Sequence, residues 1–267
     1  MNNQKFDRGV GLIYKYHKSN HSSPKSWRLM LKTICASTEI ELSKWITEKP
    51  VKKNQPIAIF SSCQRFGKGQ AGRIWHAPKG GVWVSAAIKM EGSCENNSQL
   101  YGLAVALSLA ERIERIGVNV NIKWPNDLLV DGQKLAGILP RLFFRGGKLR
   151  LLRVGVGLNV FNNVPQEGIS LKQIIGDKTM NINFWSSEVL LAIERSLDLL
   201  DNKNFLCSQV EKRLWSRKYI DKETGLQWDI KGIDSSGGLN LSKEDKVKVL
   251  SDYCLLYTSD AADDLYR

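Results

Sequence analysis

Cysteine and histidine are scarce in this sequence, and their spacing gives no sign of metal binding. The chain of 267 residues has five cysteines, none in a Cys-x-x-Cys pair, and three histidines, His17, His21 and His76. This pattern supports neither a zinc site nor a histidine-based catalytic triad. An odd number of cysteines is typical of reduced thiols, so we expect no disulfide framework.

Long apolar runs are also missing. No stretch approaches the ~20 apolar residues that span a bilayer as a helix. The charged residues Lys5, Asp7 and Arg8 lie where a secretory signal would have its apolar segment. We therefore expect a cytoplasmic protein that has no membrane partner.

Acidic residues are too few to balance the basic ones. The sequence has 39 lysines and arginines against 27 aspartates and glutamates, which gives a formal net charge of +12. Such an excess attracts polyanions, including nucleic acids, nucleotide phosphates and acidic proteins. A non-enzymatic nucleic-acid-binding protein is therefore one hypothesis, although the sequence has no RRM, KH or helix-turn-helix pattern.

A predicted β-hairpin, residues 123–139, is the most informative stretch of the chain: Lys-Trp-Pro-Asn-Asp-Leu-Leu-Val-Asp-Gly-Gln-Lys-Leu-Ala-Gly-Ile-Leu. Pro125 has no N–H to give to a neighbouring strand, so it interrupts regular pairing. Asp131 and Gly132 are a two-residue turn signal, because glycine accepts the positive φ that a tight turn requires. The strand after this turn should therefore return antiparallel to the strand before it.

The hairpin should bring charged and polar side chains together. Lys134 is expected near Lys123, Asn126 and Asp127, while Gly137 leaves room for a ligand against the returning strand. Two ammonium groups, an amide and a carboxylate suit a carboxylate or phosphate ligand beside a metal ion. A surface hairpin with solvated lysines would have the same composition.

A long glycine-rich loop, residues 61–81, precedes the hairpin. Its glycines allow backbone N–H groups to approach phosphate oxygens, and Lys68 and Arg73 add positive charge. No Gly-Lys-Ser/Thr sequence follows, so the loop is not a Walker P-loop. Polyphosphate binding remains the function that its composition favours.

Taken in order, four segments of the sequence resemble the signature of the biotin protein ligases, which attach biotin to lysines of carrier proteins. They are residues 37–39 (Ser-Thr-Glu), 67–75 (Gly-Lys-Gly-Gln-Ala-Gly-Arg-Ile-Trp), the hairpin 123–139 and residues 155–159 (Gly-Val-Gly-Leu-Asn). The resemblance covers roughly residues 27–250, and ordered motifs are more specific than any one alone.

The resemblance implies an α/β fold with a mixed, mostly antiparallel sheet flanked by helices, as in class II synthetase catalytic domains. The expected parts are a polar N-terminal arm (1–26), a catalytic domain (27–216) and a partial C-terminal SH3-like β-barrel (217–253). The arm is too short for the DNA-binding helix-turn-helix of some relatives, so we expect no DNA partner. Residues 254–267 resemble a translated sequencing adapter, and we expect them to be an artefact.

The resemblance also implies the chemistry. ATP would activate biotin as biotinyl-5′-AMP, and a lysine of the biotin carboxyl carrier protein of acetyl-CoA carboxylase would then accept the biotin. ATP and Mg²⁺ are the expected co-substrate and ion, and no tightly bound prosthetic group is expected.

Specific residues take roles in this chemistry by their match to the motifs. Lys134 is expected to be the principal cation, supported by Lys68, Arg73 and Lys123, and Asp127 is expected to help hold Mg²⁺. The expected substrate-binding residues are Ser37, Thr38, Glu39, Gln64, Gly69, Gln70, Trp75, Trp124, Asn126, Gly137, Gly155, Gly157 and Asn159, with Trp124 as a candidate apolar wall.

Two local features carry further expectations. Thr38 and Glu41 have capping-box spacing, which predicts a helix that starts with Thr38 as its cap. In the glycine-rich loop, Gln70 and Ala71 replace two arginines of the family pattern, which removes two fixed charges.

A lipoate or octanoate protein ligase, or an octanoyltransferase, is the main alternative function. Such a protein should have a long apolar slot for its acyl group. Ser37, Thr38 and Gln64 instead offer polar groups for the ureido ring of biotin. Biotin is therefore the preferred hypothesis.

Overall fold

A computed structural model of the chain describes residues 9–20, 25–90, 98–176, 181–221, 223–251 and 256–257. The helices are α1 (Val10–Ser19), α2 (Thr38–Glu48), α3 (Ser98–Glu114), α4 (Leu171–Ile175), α5 (Ile182–Leu199) and α6 (Lys203–Lys212). The strands are β1 (Arg28–Lys32), β2 (Ile57–Ser61), β3 (Val82–Lys89), β4 (Asn121–Lys123), β5 (Asp127–Val130), β6 (Gln133–Arg145), β7 (Lys148–Leu158), β8 (Lys218–Ile220), β9 (Gln227–Ile233), β10 (Leu239–Lys243), β11 (Lys246–Leu250) and β12 (Leu256–Tyr257). Among these helices, none is long and apolar enough to cross a membrane.

The large sheet is mixed and mostly antiparallel, as predicted. Its main path runs β1-β2-β3-β7-β6-β5-β4, and only the β1–β2 pair along this path is parallel. The short strand β12 also pairs in parallel with β6, opposite Leu142 and Phe143. The other residues of the predicted adapter segment lie outside the described chain, so that interpretation stays a prediction.

Different helices pack against the two faces of the large sheet. Alternate residues of a strand point to opposite faces, so Ala58 and Phe60 of β2 join the main core, while Ile57 and Ile59 join a smaller one. Helices α3 and α5 complete the main core, and α2 covers the smaller one through Leu42 and Ile46. The cavity described below lies on the α2 face.

Helix α1, which lies in the segment expected to be a polar arm, packs against the main core. Ile13 is buried in the main core, and the buried His17 imidazole lies 2.8 Å from a carboxylate oxygen of Glu194 on α5. The indole N–H of Trp27 donates to the same oxygen. His17 of this segment therefore has a buried partner 177 residues away in sequence.

The cap of α2 lies one residue earlier than predicted. Ser37 is the N-cap, and its hydroxyl accepts a hydrogen bond from the backbone N–H of Glu39 at 3.2 Å. Thr38 is the first helical residue. Its hydroxyl is therefore available for contacts on the sheet side of the helix.

The C-terminal residues form a second, four-stranded antiparallel sheet in the order β11-β10-β9-β8. Its side chains Trp228, Ile233, Leu239 and Leu241 are buried in the same core as the large sheet. The two sheets therefore pack as one body in the described chain. The expected likeness of this unit to a partial SH3 barrel stays a prediction.

Candidate active site

A cavity of about 620 Å³ lies between α2, the glycine-rich loop and strands β3, β7 and β6. The strand register places the floor residues and their neighbours in three rows across the sheet. The first row is Trp83, Gly157 and Gly137, the second is Ser85, Gly155 and Leu139, and the third is Ala87, Arg153 and Arg141. Successive rows are two residues apart along each strand, or about 7 Å.

Lys134 lies at the end of this floor nearest the first row. Its ammonium nitrogen is 2.7 Å from Oδ2 of Asp127, and both residues line the cavity. The hairpin holds the two together because β5 and β6 pair antiparallel, with Asp127 opposite Gly137. The predicted hairpin and the Lys134–Asp127 proximity are thus present in the structure.

Asn126 has a structural role at this corner. Its side-chain amide donates to the carbonyl of Ile138 at 2.7 Å, and its own carbonyl accepts from the Ile138 N–H at 2.9 Å. These bonds replace regular strand pairing beside Pro125. They fix the start of β5, and therefore the position of Asp127.

Residues 165–169 form an additional edge beside Lys134. The N–H of Lys134 donates to the carbonyl of Glu167 at 2.8 Å, and the N–H of Ile169 donates to the carbonyl of Lys134 at 3.0 Å. The amide of Asn159 also donates to that carbonyl, at 3.2 Å. This pairing places Glu167 on the cavity wall.

Polar groups surround the second row. The carboxamide oxygen of Gln64 accepts from the backbone N–H of Thr38 at 2.8 Å and from its hydroxyl at 3.1 Å. The Thr38 hydroxyl also lies 2.8 Å from that of Ser85 on β3. Because Ser37 caps the helix, Thr38 can join α2, the loop and the sheet in one polar cluster at the cavity.

The indole of Trp75 lies on the glycines of the first row. A Cβ atom at Gly157 would come within 2.7 Å of this ring, and one at Gly137 within 3.0 Å. The ammonium of Lys134 lies 4.9 Å from the ring centroid, within the range of a cation–π contact. The absence of a side chain at Gly137 and Gly157 therefore leaves the space that the Trp75 ring occupies.

The glycine-rich loop folds back on itself over the cavity. The N–H of Gly69 donates to the carbonyl of Arg73 at 2.7 Å, and Ala71 adopts a positive φ of 53°. Lys68, Gln70 and Arg73 line the cavity beside these backbone groups. The loop thus places two cations on the same cavity as Lys134.

The third row is charged. Glu39 at the start of α2 has a carboxylate oxygen 3.0 Å from Arg153 and 3.5 Å from Arg141. Arg153 also donates to the Ser43 hydroxyl and to the Glu39 carbonyl. This cluster ties α2 to the sheet and forms one end of the cavity.

All but two of the predicted site residues line the cavity. The gathered set is Ser37, Thr38, Glu39, Gln64, Lys68, Gly69, Gln70, Arg73, Trp75, Asn126, Asp127, Lys134, Gly137, Gly155, Gly157 and Asn159. Lys123 is exposed on β4 and does not line the cavity. Trp124 is outside it as well, because its indole donates to the carbonyl of Gly237 at 2.9 Å. The structure therefore gives no support to Lys123 as a site cation or Trp124 as a wall.

Several residues that line the cavity were not predicted from the sequence. Ser85 lies within the strand β3, where the sequence has only a strand pattern, and Arg141 lies on β6 two residues after the end of the hairpin motif. Glu167 belongs to the connection after β7. Strand register and the pairing of residues 165–169 bring these residues to the cavity, and no short motif encodes either.

The chain matches known proteins over most of its length. Residues 41–159 match the model of the Biotin/lipoate A/B protein ligase family. Biotin–protein ligase 2 of Arabidopsis thaliana is 30% identical over 232 residues, which is 79% of this chain and 68% of the relative. The bifunctional ligase/repressor BirA of Bacillus subtilis is 34% identical over 128 residues, covering 45% of this chain and 39% of the relative.

A solved structure shares the fold. The biotin protein ligase of Aquifex aeolicus in complex with biotin and ATP superposes with a TM-score of 0.68 at 22% identity, covering 85% of this chain and 97% of that one. Fold and site together define an α/β domain with a cation-lined cavity beside its mostly antiparallel sheet. The chain belongs to the Biotin/lipoate A/B protein ligase family and, within it, to the biotin protein ligases. Its match nevertheless spans well under half of the Bacillus relative.

Proposed function

We propose that the protein is an ATP-dependent ligase that activates biotin as biotinyl-5′-AMP and transfers it to a lysine of a carrier protein. The observation that carries this proposal is the arrangement of the cavity. Lys134 lies at one end, the glycines of the first row follow, and the polar cluster of Thr38, Gln64 and Ser85 lies beyond them. Biotin has a carboxylate at the end of an alkyl chain and a polar cyclic urea on its bicyclic ring at the other end, which matches this order.

The first step joins biotin to AMP. An oxygen of the biotin carboxylate attacks the α-phosphorus of ATP, and the bond from this phosphorus to the bridging oxygen breaks, releasing pyrophosphate. Negative charge must be stabilised at the α-phosphoryl group as the bond forms, and fixed cations do this better than water. Lys134 takes this role, supported by Lys68 and Arg73 of the loop.

The second step transfers biotin. The neutral amine of a carrier lysine attacks the carbonyl carbon of the adenylate, the bond from this carbon to the phosphate oxygen breaks, and AMP leaves while the nitrogen loses a proton. No covalent intermediate with the protein is required. The cavity accordingly needs to hold both ends of the adenylate and to leave its carbonyl accessible.

Asp127 is suited to share a Mg²⁺ ion with the nucleotide. Within the described residues no group of three histidine, cysteine, aspartate or glutamate side chains is placed to hold a metal. Mg²⁺ commonly binds through one or two carboxylates together with substrate phosphates, so a single carboxylate beside the cations fits it. The ion would neutralise phosphate charge there.

The carrier protein that fits this chemistry is the biotin carboxyl carrier protein of acetyl-CoA carboxylase, and the expected compartment is the cytoplasm. The name of a further relative, the biotin–[acetyl-CoA-carboxylase] ligase of Paracoccus denitrificans, supports this choice of carrier. That relative is 33% identical over 105 residues.

Pyrophosphate release tests the proposal. The protein is incubated with ATP, Mg²⁺ and either biotin, lipoate, octanoate or no acid. The proposal predicts release that depends on biotin and is weak with the other two acids. Release with lipoate or octanoate but not with biotin would assign the protein to the other branch of its family, and no release with any acid would overturn the proposal.

A further inference from the structure

The third row of the cavity floor gives the far end of the cavity a chemical character of its own. Arg141 and Arg153 are register partners on β6 and β7, and Glu39 on α2 contacts both. Arg141 and Glu39 line the cavity, whereas Arg153 does not and is only 7% exposed. A ligand anchored at Lys134 would therefore meet an ion pair, not an apolar surface, beyond the second row.

We propose that Arg141, held in place by Glu39, is a specificity-determining residue that selects an acyl substrate with a polar, urea-like head. This inference rests on the proposed function, in which the carboxylate of the substrate lies at Lys134. Extended along the floor from there, the substrate places its head at the second row and against the third. Arg141 is thus a contact for the end of the substrate that does not react.

A cyclic urea can form hydrogen bonds with both Arg141 and Glu39, the two residues that line this end of the cavity. A urea has a carbonyl that accepts hydrogen bonds and two N–H groups that donate them, while Arg141 offers donors and Glu39 offers an acceptor. An apolar head would remove water from the ion pair without returning hydrogen bonds, which is unfavourable. The Arg141–Glu39 pair therefore favours binding of a urea over binding of an apolar ring such as a dithiolane.

Arg141 can be replaced without releasing α2 from the sheet. Glu39 would keep its ion pair with Arg153 at 3.0 Å, and Arg153 would keep its hydrogen bond to Ser43. Arg145 offers a matched control, because it is an exposed arginine on the same strand and does not line the cavity. Comparing the two variants therefore separates the contact of Arg141 with the substrate from the general effect of removing a positive charge.

The experiment compares Arg141→Met and Arg145→Met with the unchanged protein in pyrophosphate release. The substrates are biotin, desthiobiotin, which keeps the urea but lacks the sulfur ring, and lipoate. Arg141→Met should lower the ratio of kcat/KM for biotin to that for lipoate by at least about tenfold, because a polar contact to the head is lost. The ratio of kcat/KM for desthiobiotin to that for lipoate should fall by a similar factor, because desthiobiotin has the same urea.

Two further variants complete the test. Arg145→Met should leave the ratio within about twofold, as expected for a surface change. Arg141→Lys keeps the positive charge and should retain more of the preference for biotin than Arg141→Met does. This rescue separates a lost charge from a general loss of packing.

The outcomes distinguish this inference from the proposed function. If the unchanged protein uses biotin but Arg141→Met keeps the original ratio, the inference is overturned and the proposed function stands. If the unchanged protein releases no pyrophosphate with biotin, the proposed function fails and the inference falls with it.

Discussion

Lys134 and Asp127 form an ion pair of 2.7 Å at the cavity, across the hairpin that joins β5 to β6. The pair keeps the ammonium at one place before a substrate arrives, because the carboxylate belongs to the fixed start of β5. An incoming carboxylate or phosphate then meets a positioned cation. The proposed activation of biotin depends on this arrangement more than on any other contact.

Replacing Lys134 should abolish adenylate formation. Lys134→Ala is expected to lower kcat for pyrophosphate release by about 10²–10³-fold, the usual effect of removing a group that stabilises developing charge. Lys134→Arg should also lose most of the activity, since the broad, planar guanidinium does not replace a compact ammonium. Lys123→Ala is the matched control, because Lys123 is an exposed cation outside the cavity.

Activity of Lys134→Ala within severalfold of the unchanged protein would contradict this role. Equal losses in Lys134→Ala and Lys123→Ala would instead point to a general effect of charge.

Gly157→Ala should weaken biotin binding. Its new Cβ would lie 2.7 Å from the Trp75 ring, closer than side chains tolerate. Overpacking of ~1–3 kcal/mol should raise KM for biotin at least about fivefold. Gly155→Ala should have a smaller effect, because its Cβ would be in ordinary contact with Leu139 at 3.5 Å. Steady-state kinetics of both variants at varied biotin tests this, and a larger effect at Gly155 would place the slot elsewhere.

Gln70→Arg should slow the escape of biotinyl-adenylate. Gln70 lines the cavity in the loop that carries Lys68 and Arg73, so an arginine there adds a cation near the phosphate. One partly exposed charge pair suggests a decrease of about two- to fivefold in the dissociation rate, smaller at high salt. The measurement is adenylate release, or biotinylation of bystander lysines without a carrier. No change in either would mean that Lys68 and Arg73 suffice.

The buried contact between α1 and α5 should make stability depend on pH. Burial alone would raise the pKa of Glu194, but hydrogen bonds from His17 and Trp27 outweigh it and lower the pKa below its ordinary value of 4.5. A lowered pKa means that the folded state favours the carboxylate. The contribution is therefore fully present above the ordinary pKa and is lost as pH falls through the folded-state pKa.

Glu194→Gln tests this directly. The variant should be less stable than the unchanged protein by about 1–3 kcal/mol at pH 7, because a charged acceptor for two buried donors is lost. The difference in free energy of unfolding should shrink as pH falls below the ordinary pKa of glutamate. A difference that stays constant between pH 7 and pH 3 would show that the charge of Glu194 does not contribute.

The parts of the site that the sequence predicted are those made by neighbouring residues. The turn at Asp131 and Gly132 is encoded locally, so the return of Lys134 towards Asp127 followed from the sequence and is present in the structure. Gly137, on the returning strand of the same hairpin, was expected to leave open space, and the Trp75 ring lies beside it.

The parts of the site that could not be predicted depend on contacts between residues far apart in the sequence. Arg141 and Ser85 reach the cavity through the register of three strands, and Glu167 reaches it by pairing with Lys134. The helix α1 was missed for the same reason, because the partner of its buried His17 is Glu194, far along the chain. The polar composition of residues 1–26 gave no sign that His17 and Ile13 would be buried.

The most direct test of the proposed ligase activity is to identify the product on a carrier protein. The protein is incubated with biotin, ATP, Mg²⁺ and a purified biotin carboxyl carrier protein, and the carrier is analysed by mass spectrometry. The expected product is one biotinyl group on a single carrier lysine, formed only when ATP is present and lost with Lys134→Ala. A carrier that stays unmodified, or one that is modified equally by Lys134→Ala, would contradict it.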